Sequence, residues 1–247
     1  MVQAPQRSAF SGPTLIRLVA RLTDVEFTES RQSLSDRLSQ WLHWTDAIAL
    51  STALNGNPSA VPAGARAFGS GEENECARVR GALANAIAGN HAFAAVKRHG
   101  PAQRPPHGAS MDAAVDYPVF RQHYLSMQQA METGISNLRG RLREKLAART
   151  PAMTRLAEVD AVMERALSAR ERSLLATVPA LLGGHFERLR QAEQKTLADA
   201  QTSGETPAIT PGAWLAVFRK DMQSVLLAEL ELRFQPVEGL LAALRTS

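Results

Sequence analysis

The residue types in this chain that can do chemistry fall into a few groups. His91, His99 and His107 recur every eight residues, with Cys76 and His123 outside them. A zinc ion needs four ligands, usually built from tight local pairs such as C-x2-C or H-x3-H. No such pair occurs, so these histidines read as solvated loop residues. Asp36, His43 and Asp46 fall at i, i+7 and i+10 of one expected helix, and so on one face. Two carboxylates and an imidazole can hold a metal ion or relay a proton. A second segment would have to complete that set and none is marked, so the plainer reading is the polar face of an amphipathic helix.

Arg139, Arg141, Arg143, Lys145 and Arg149 form a basic run relieved only by Glu144. Such a run can bind phosphates. The aromatic residues that would stack on bases are missing nearby. The competing expectation is a face paired with acidic groups on a neighbouring helix, and the segment with Glu158, Asp160 and Glu164 is the candidate neighbour. Gly69-Ser70-Gly71 precedes a helix, a place where anions bind, but the phosphate-loop pattern and the strand before it are absent. Asp221, Glu229 and Glu231 share one helix, yet the Glu-x-x-His pairs of a di-iron bundle occur nowhere. G-x-S-x-G and H-E-x-x-H are absent too. Cys76 falls on an apolar helix face and reads as a small buried residue rather than a nucleophile. The chain therefore reads as non-enzymatic, with no cofactor and no metal.

What must position these residues is helical. The chain has 247 residues, 45% of them hydrophobic and only 5% aromatic. Ala and Leu dominate the apolar set, which favours helix over sheet. The organising stretch is Phe120, Tyr124, Met127, Met131, Ile135, Leu138, Leu142 and Leu146. Steps of three and four residues bring all eight to one stripe of a helix about 40 Å long. Pro118 fits its first turn and Asp116 is placed to cap it. Thr150-Pro151 restarts the chain after a short connection, so the next helix, carrying Met153, Leu156, Val159, Val162, Met163 and Leu167, folds back antiparallel. Pro179 should kink or break it. Leu181, Leu182, Phe186 and Leu189 resume the stripe. Thr210-Pro211 repeats the cap-plus-proline opening. The last helix carries Trp214, Phe218, Met222, Val225, Leu226 and Leu230, and Gln235-Pro236 interrupts it.

Upstream, a short helix follows Gly12-Pro13, and a second runs from Ser30 to Leu54 and stops at Asn55-Gly56-Asn57-Pro58. Its stripe is Leu34, Leu38, Trp41, Thr45, Ile48 and Thr52. Leu42, Trp44, Ala47, Leu50 and Leu54 make its second half apolar almost all round, which marks a core or an interface. Leu34, Leu38, Trp41, Trp44 and Ile48 are the expected partner-binding residues. A third helix carries Cys76, Val79, Leu83, Ala86 and Ile87. Residues 97–111, with three prolines and two glycines, read as a linker. The expected organisation is all-α: an N-terminal helical unit over 1–96, the linker, and an elongated antiparallel bundle of long helices over 112–247.

The formal net charge of +4 is small for this length. One cysteine excludes an intrachain disulfide and fits a reducing compartment. The polar opening residues do not read as a signal peptide, and no window of 18 apolar residues exists. These features place the expected protein in the cytoplasm without membrane insertion.

Two blocks carry a resemblance: Ser11–Asp24 (SGPTLIRLVARLTD) with Ser30–Leu54 (SRQSLSDRLSQWLHWTDAIALSTAL), and Asp221–Arg245 (DMQSVLLAELELRFQPVEGLLAALR). They resemble a bacterial family catalogued as a domain of unknown function, and the likeness covers nearly the whole chain. Members of that family stand beside genes for coiled-coil membrane proteins and peptidoglycan-binding envelope proteins, so the resemblance implies at most a cytoplasmic accessory role in an envelope complex, and it supplies no catalytic residues. The functional expectation is a scaffold or adaptor subunit that binds a protein partner or a second copy of itself. The alternative is a basic helical protein associated with nucleic acid.

Overall fold

The structure is a computed structural model and describes residues 14–23, 32–56, 70–89, 116–203 and 210–246. These form α1 (Thr14–Thr23), α2 (Leu34–Trp41), α3 (Trp44–Asn55), α4 (Ser70–Ala88), α5 (Tyr117–Ala147), α6 (Pro151–Leu175), α7 (Val178–Ser203) and α8 (Ala213–Thr246). No strand occurs among the described residues. None of the described helices is long and apolar enough to cross a membrane. The linker at 97–111 lies outside the described residues, as do His91, His99 and His107.

The expected stripe is the spine of the core. Phe120, Tyr124, Met131, Ile135, Leu138, Leu142 and Leu146 are buried, and Met127 packs against them half-buried. Thr150 caps α6 by accepting the Met153 amide at 3.2 Å. α6 then runs back along α5, pairing Arg143 with Asp160 and Arg172 with Glu132. α8 supplies the largest share of core, from Trp214 and Phe218 through Phe234 to Leu244. α4 runs antiparallel to α5 through Glu72–Lys145 and Glu75–Arg141, and antiparallel to α8 through Glu73–Arg245 and Arg80–Glu238. α5 and α8 therefore point the same way, as an up-down-up order requires. Leu15, Val19 and Leu22 of α1, and Cys76 and Ile87 of α4, belong to the same buried cluster as the long helices.

The break expected at Pro179 occurs, whereas Pro236 and Pro211 depart from expectation. The helix break comes before Pro179, which sits in the first turn of α7. Proline has no amide to offer the carbonyl four residues back, that of Leu175. That carbonyl instead accepts the Gln128 side-chain amide at 3.1 Å. At Pro236 the expected interruption does not happen, and α8 continues to Thr246. Phe234, Val237, Leu240, Leu241 and Leu244 are buried on both sides of it, and their packing outweighs one lost backbone bond. Thr210-Pro211 is likewise not a helix start. Its residues form a turn in which the Thr210 carbonyl accepts the Ala213 amide at 3.1 Å. Gly212 there has φ 87°, a left-handed conformation that side-chain-bearing residues resist. The buried Glu193 carboxylate receives the Gly212 amide with both oxygens at 3.1 Å.

Candidate protein-interaction face

The expected single helix over Ser30–Leu54 is two helices. Ser33 caps α2, accepting the Asp36 amide at 3.1 Å while its hydroxyl donates to the Asp36 carboxylate at 2.7 Å. α2 ends at Trp41, where Leu42 turns to an extended backbone. His43 is the N-cap of α3, and its own amide donates to the Asp46 carboxylate at 3.1 Å. Asp36, His43 and Asp46 therefore do not line one helix face. The Asp46 carboxylate satisfies the free His43 amide, the Asp36 carboxylate accepts the Ser33 hydroxyl, and both acids complement the dipole in the first turn of their own helix.

α2 and α3 pack on α6, with Ala53 buried and Ala49 and Leu50 half-buried. The break in the helix sends the five expected partner-binding residues different ways. Trp44 is 80% exposed, Leu34 71% and Ile48 50%. Leu38 and Trp41 are half-buried. Trp41 turns inward, with the Arg170 guanidinium 5.6 Å from its ring centre, a cation–π distance. The outward face of α3 also carries exposed Ala47 beside Ile48, and Leu54 is 54% exposed.

Trp41 closes one side of a cleft of about 950 Å³ between α6 and α8, floored by α5. Ile135, Met163, Leu167 and Leu232 give it apolar surface, and Arg139, Asp160, Glu164, Glu171 and Arg233 line it with charge. These charges are matched. Arg139 meets Asp160 at 2.7 Å, and Arg143 meets Glu164 at 2.5 Å and Asp160 at 2.9 Å. Burial opposes the Arg143 charge, but its bonds to Glu164 and Asp160 outweigh that and hold its pKa above the usual value. Arg141 and Lys145, on the other flank of α5, pair with Glu75 and Glu72 of α4. The basic run thus divides between two acidic neighbours. Asp160 and Glu164 come from the segment singled out in the sequence; Glu158 from that segment is exposed.

Cys76 is buried, and its thiol pKa is pushed up by burial and then by the Glu75 charge, the reverse of an activated nucleophile. His123 has its pKa lowered by burial. Asp221 pairs with His185 at 2.9 Å. No group of three or more potential metal ligands gathers among the described residues.

One cluster escaped the sequence reading. Glu229 is fully buried, and its carboxylate accepts Tyr124 Oη at 2.7 Å, Gln128 Nε2 at 3.0 and 3.1 Å, and Arg233 Nε at 2.8 Å. Arg233 reaches on to Glu171 at 2.8 Å. The cluster ties α5, α6 and α8 together with the carboxylate's acceptors filled. The available signal was register: Glu229 stands on the stripe of Met222, Val225 and Leu226, where a solvated acid has no place.

A family model described as a protein of unknown function (DUF3348) matches residues 1–246. No curated protein and no solved structure matches the chain.

Proposed function

For this chain, which belongs to the DUF3348 family of proteins of unknown function, we propose a non-enzymatic role as a helical scaffold or adaptor subunit that binds another protein through the outward face of α2 and α3. The observation that carries this reading is the exposure of Trp44, Leu34 and Ile48 on the two consecutive short helices α2 and α3. Large apolar side chains gathered at a surface mark interaction sites, and tryptophan is the commonest energetic anchor in them. The phenylalanines of the described residues, by contrast, are all buried: Phe120, Phe186, Phe218 and Phe234. The partner is a protein or a second copy of this chain. A cytoplasmic setting beside an envelope-associated complex belongs to the same proposal, on the strength of the resemblance set out above.

The nucleic-acid reading has less support. Four of the five cations of the 139–149 run, Arg139, Arg141, Arg143 and Lys145, are engaged by carboxylates. Freeing them for phosphate would break those pairs.

The test compares the natural chain with a Trp44→Ser, Ile48→Ser double variant. Sedimentation velocity across concentration and affinity purification with mass spectrometry are run on both. The expected result is an oligomer or a specific co-purifying protein that the double variant loses. A natural chain that stays monomeric and retains no partner would remove the proposal.

A further inference from the structure

We infer that α3 is a twofold dimerisation helix, whose outward face pairs antiparallel with the same face of a second copy of this chain. This rests on the partner reading above and names the occupant of that surface. The face is defined by what lies behind it. Asp46, Ala49 and Leu50 are half-buried and Ala53 is buried, so they mark the side of α3 turned to α6. At 3.6 residues per turn the opposite side is centred on Trp44, Ile48, Ser51 and Asn55, with Ala47 and Thr52 beside them. All six are exposed.

Charge selects the occupant. Among the described helices α3 is the poorest in charge. Asp46 is its one charged side chain, and that carboxylate already holds the His43 amide at 3.1 Å. From Ala47 to Asn55 there is none. Complexes of unlike proteins set charge against opposite charge across the interface. This face has no charge to match, and against its own copy it meets no like charge.

Side-chain size selects the orientation. The bulky Trp44 and Ile48 fall in the first half of the face, and the small Ser51 and Thr52 in the second. A parallel pair would set Trp44 against its own copy. An antiparallel pair, with its twofold axis level with the Ala49–Leu50 bond, sets Trp44 over the second copy's Asn55 and Ile48 over the second copy's Ser51. Large then meets small, and each contact occurs twice, as a closed isologous interface requires. The antiparallel order also puts the positive start of one helix beside the negative end of the other. A covered indole N–H needs an acceptor. Asn55 donates its amide nitrogen to the Ser51 carbonyl at 3.1 Å, which leaves its amide oxygen for that role.

Sedimentation velocity of the full chain across concentration tests it, with Ile48→Glu and Ser51→Arg made as separate chains. The natural chain is expected to sediment as a dimer. Each variant alone is expected to keep its helical circular dichroism and to raise the dimer dissociation constant roughly 30-fold or more, because a charge is driven into an uncharged contact. Mixed in equal amounts, the two variants are expected to dimerise again, since the acid on one copy faces the base on the other. A natural dimer that survives either substitution, or variants that stay apart when mixed, would overturn the inference. So would a monomeric natural chain. If that monomer retains a protein that the Trp44→Ser, Ile48→Ser double variant loses, the partner reading stands and only the second copy is wrong. If it retains none, both fall.

Discussion

Tyr124 Oη donates to Glu229 Oε2 at 2.7 Å, and neither side chain reaches solvent. A tyrosine on the α5 stripe thus holds a carboxylate that α8 carries into the core. Both groups are bound where an unpaired polar atom would be expensive. Removing the hydroxyl with Tyr124→Phe takes away one of several donors, and the expected loss of stability is about 1–3 kcal/mol. Glu229→Ala strands the Tyr124 hydroxyl, leaves Gln128 with only the Leu175 carbonyl, and leaves the buried Arg233 charge with only Glu171. Its expected cost is about 3–5 kcal/mol, typical of breaking a buried pair from one side. Urea unfolding followed by circular dichroism measures both. A Glu229→Ala chain as stable as the natural one would show that the cluster contributes nothing.

The only two tyrosines of the chain, Tyr117 and Tyr124, are both in the core region. Burial raises the Tyr117 pKa to about 12. It raises Tyr124 further, with the Glu229 charge adding to the effect. In the unfolded chain both ionise near ~10. Below that pH both states hold their protons and the tyrosines leave stability unchanged. Between about 10 and about 12 the unfolded chain releases protons that the native chain keeps, so native stability falls as pH rises. Absorbance at tyrosinate wavelengths should therefore stay nearly flat in the native protein through about pH 10.5, where the chain in guanidinium is already mostly ionised. The native rise should come later, or together with loss of helical signal. A native titration midpoint near ~10 would contradict the burial of both rings.

Gly183 and Gly184 stand side by side in α7 and should respond oppositely to alanine. A Cβ at Gly183 would lie 2.9 Å from the Tyr117 ring. That ring cannot give way easily: it packs tilted against Phe186 and edge-on against Phe218, and its hydroxyl donates to the Pro179 carbonyl. Gly183→Ala is expected to destabilise by about 1–3 kcal/mol through overpacking. A Cβ at Gly184 meets only the movable Arg188 guanidinium at 3.7 Å. Gly184→Ala should stabilise by up to about 1 kcal/mol, as alanine replaces glycine in a helix. Thermal melts of the two variants decide the matter, and a stabilised Gly183→Ala would refute the packing at Tyr117.

Trp44 and Phe186 separate surface from core in the same way. Trp44→Ser removes a side chain that is mostly in water, so its expected effect on stability is within about 0.5 kcal/mol. Phe186 is fully buried against Phe120, Phe218 and Trp214. Phe186→Ala should cost about 3–5 kcal/mol. Chemical denaturation gives both numbers. A Trp44→Ser chain destabilised as much as Phe186→Ala would mean that the α3 face is packed rather than open.

What the sequence determined by itself was local and periodic. The α5 stripe needed only the 3.6-residue repeat to assign its faces, and Thr150-Pro151 needed only capping chemistry to turn the chain. The basic run also declared its acidic neighbour, because Asp160 and Glu164 recur one helix turn apart on the segment that folds back. Tertiary structure decided whatever depended on competition between segments. Pro179 broke its helix and Pro236 did not, because the freed Leu175 carbonyl found Gln128 whereas apolar burial on both sides carried α8 through. Asp36 and Asp46 became first-turn partners of two different caps, Ser33 and His43, rather than partners on one face, because the helix breaks between them. Glu229 could be buried only because Tyr124, Gln128 and Arg233 converge on it from positions as much as 105 residues away. No spacing rule within α8 encodes a satisfaction that distant, for it exists only once the helices have packed.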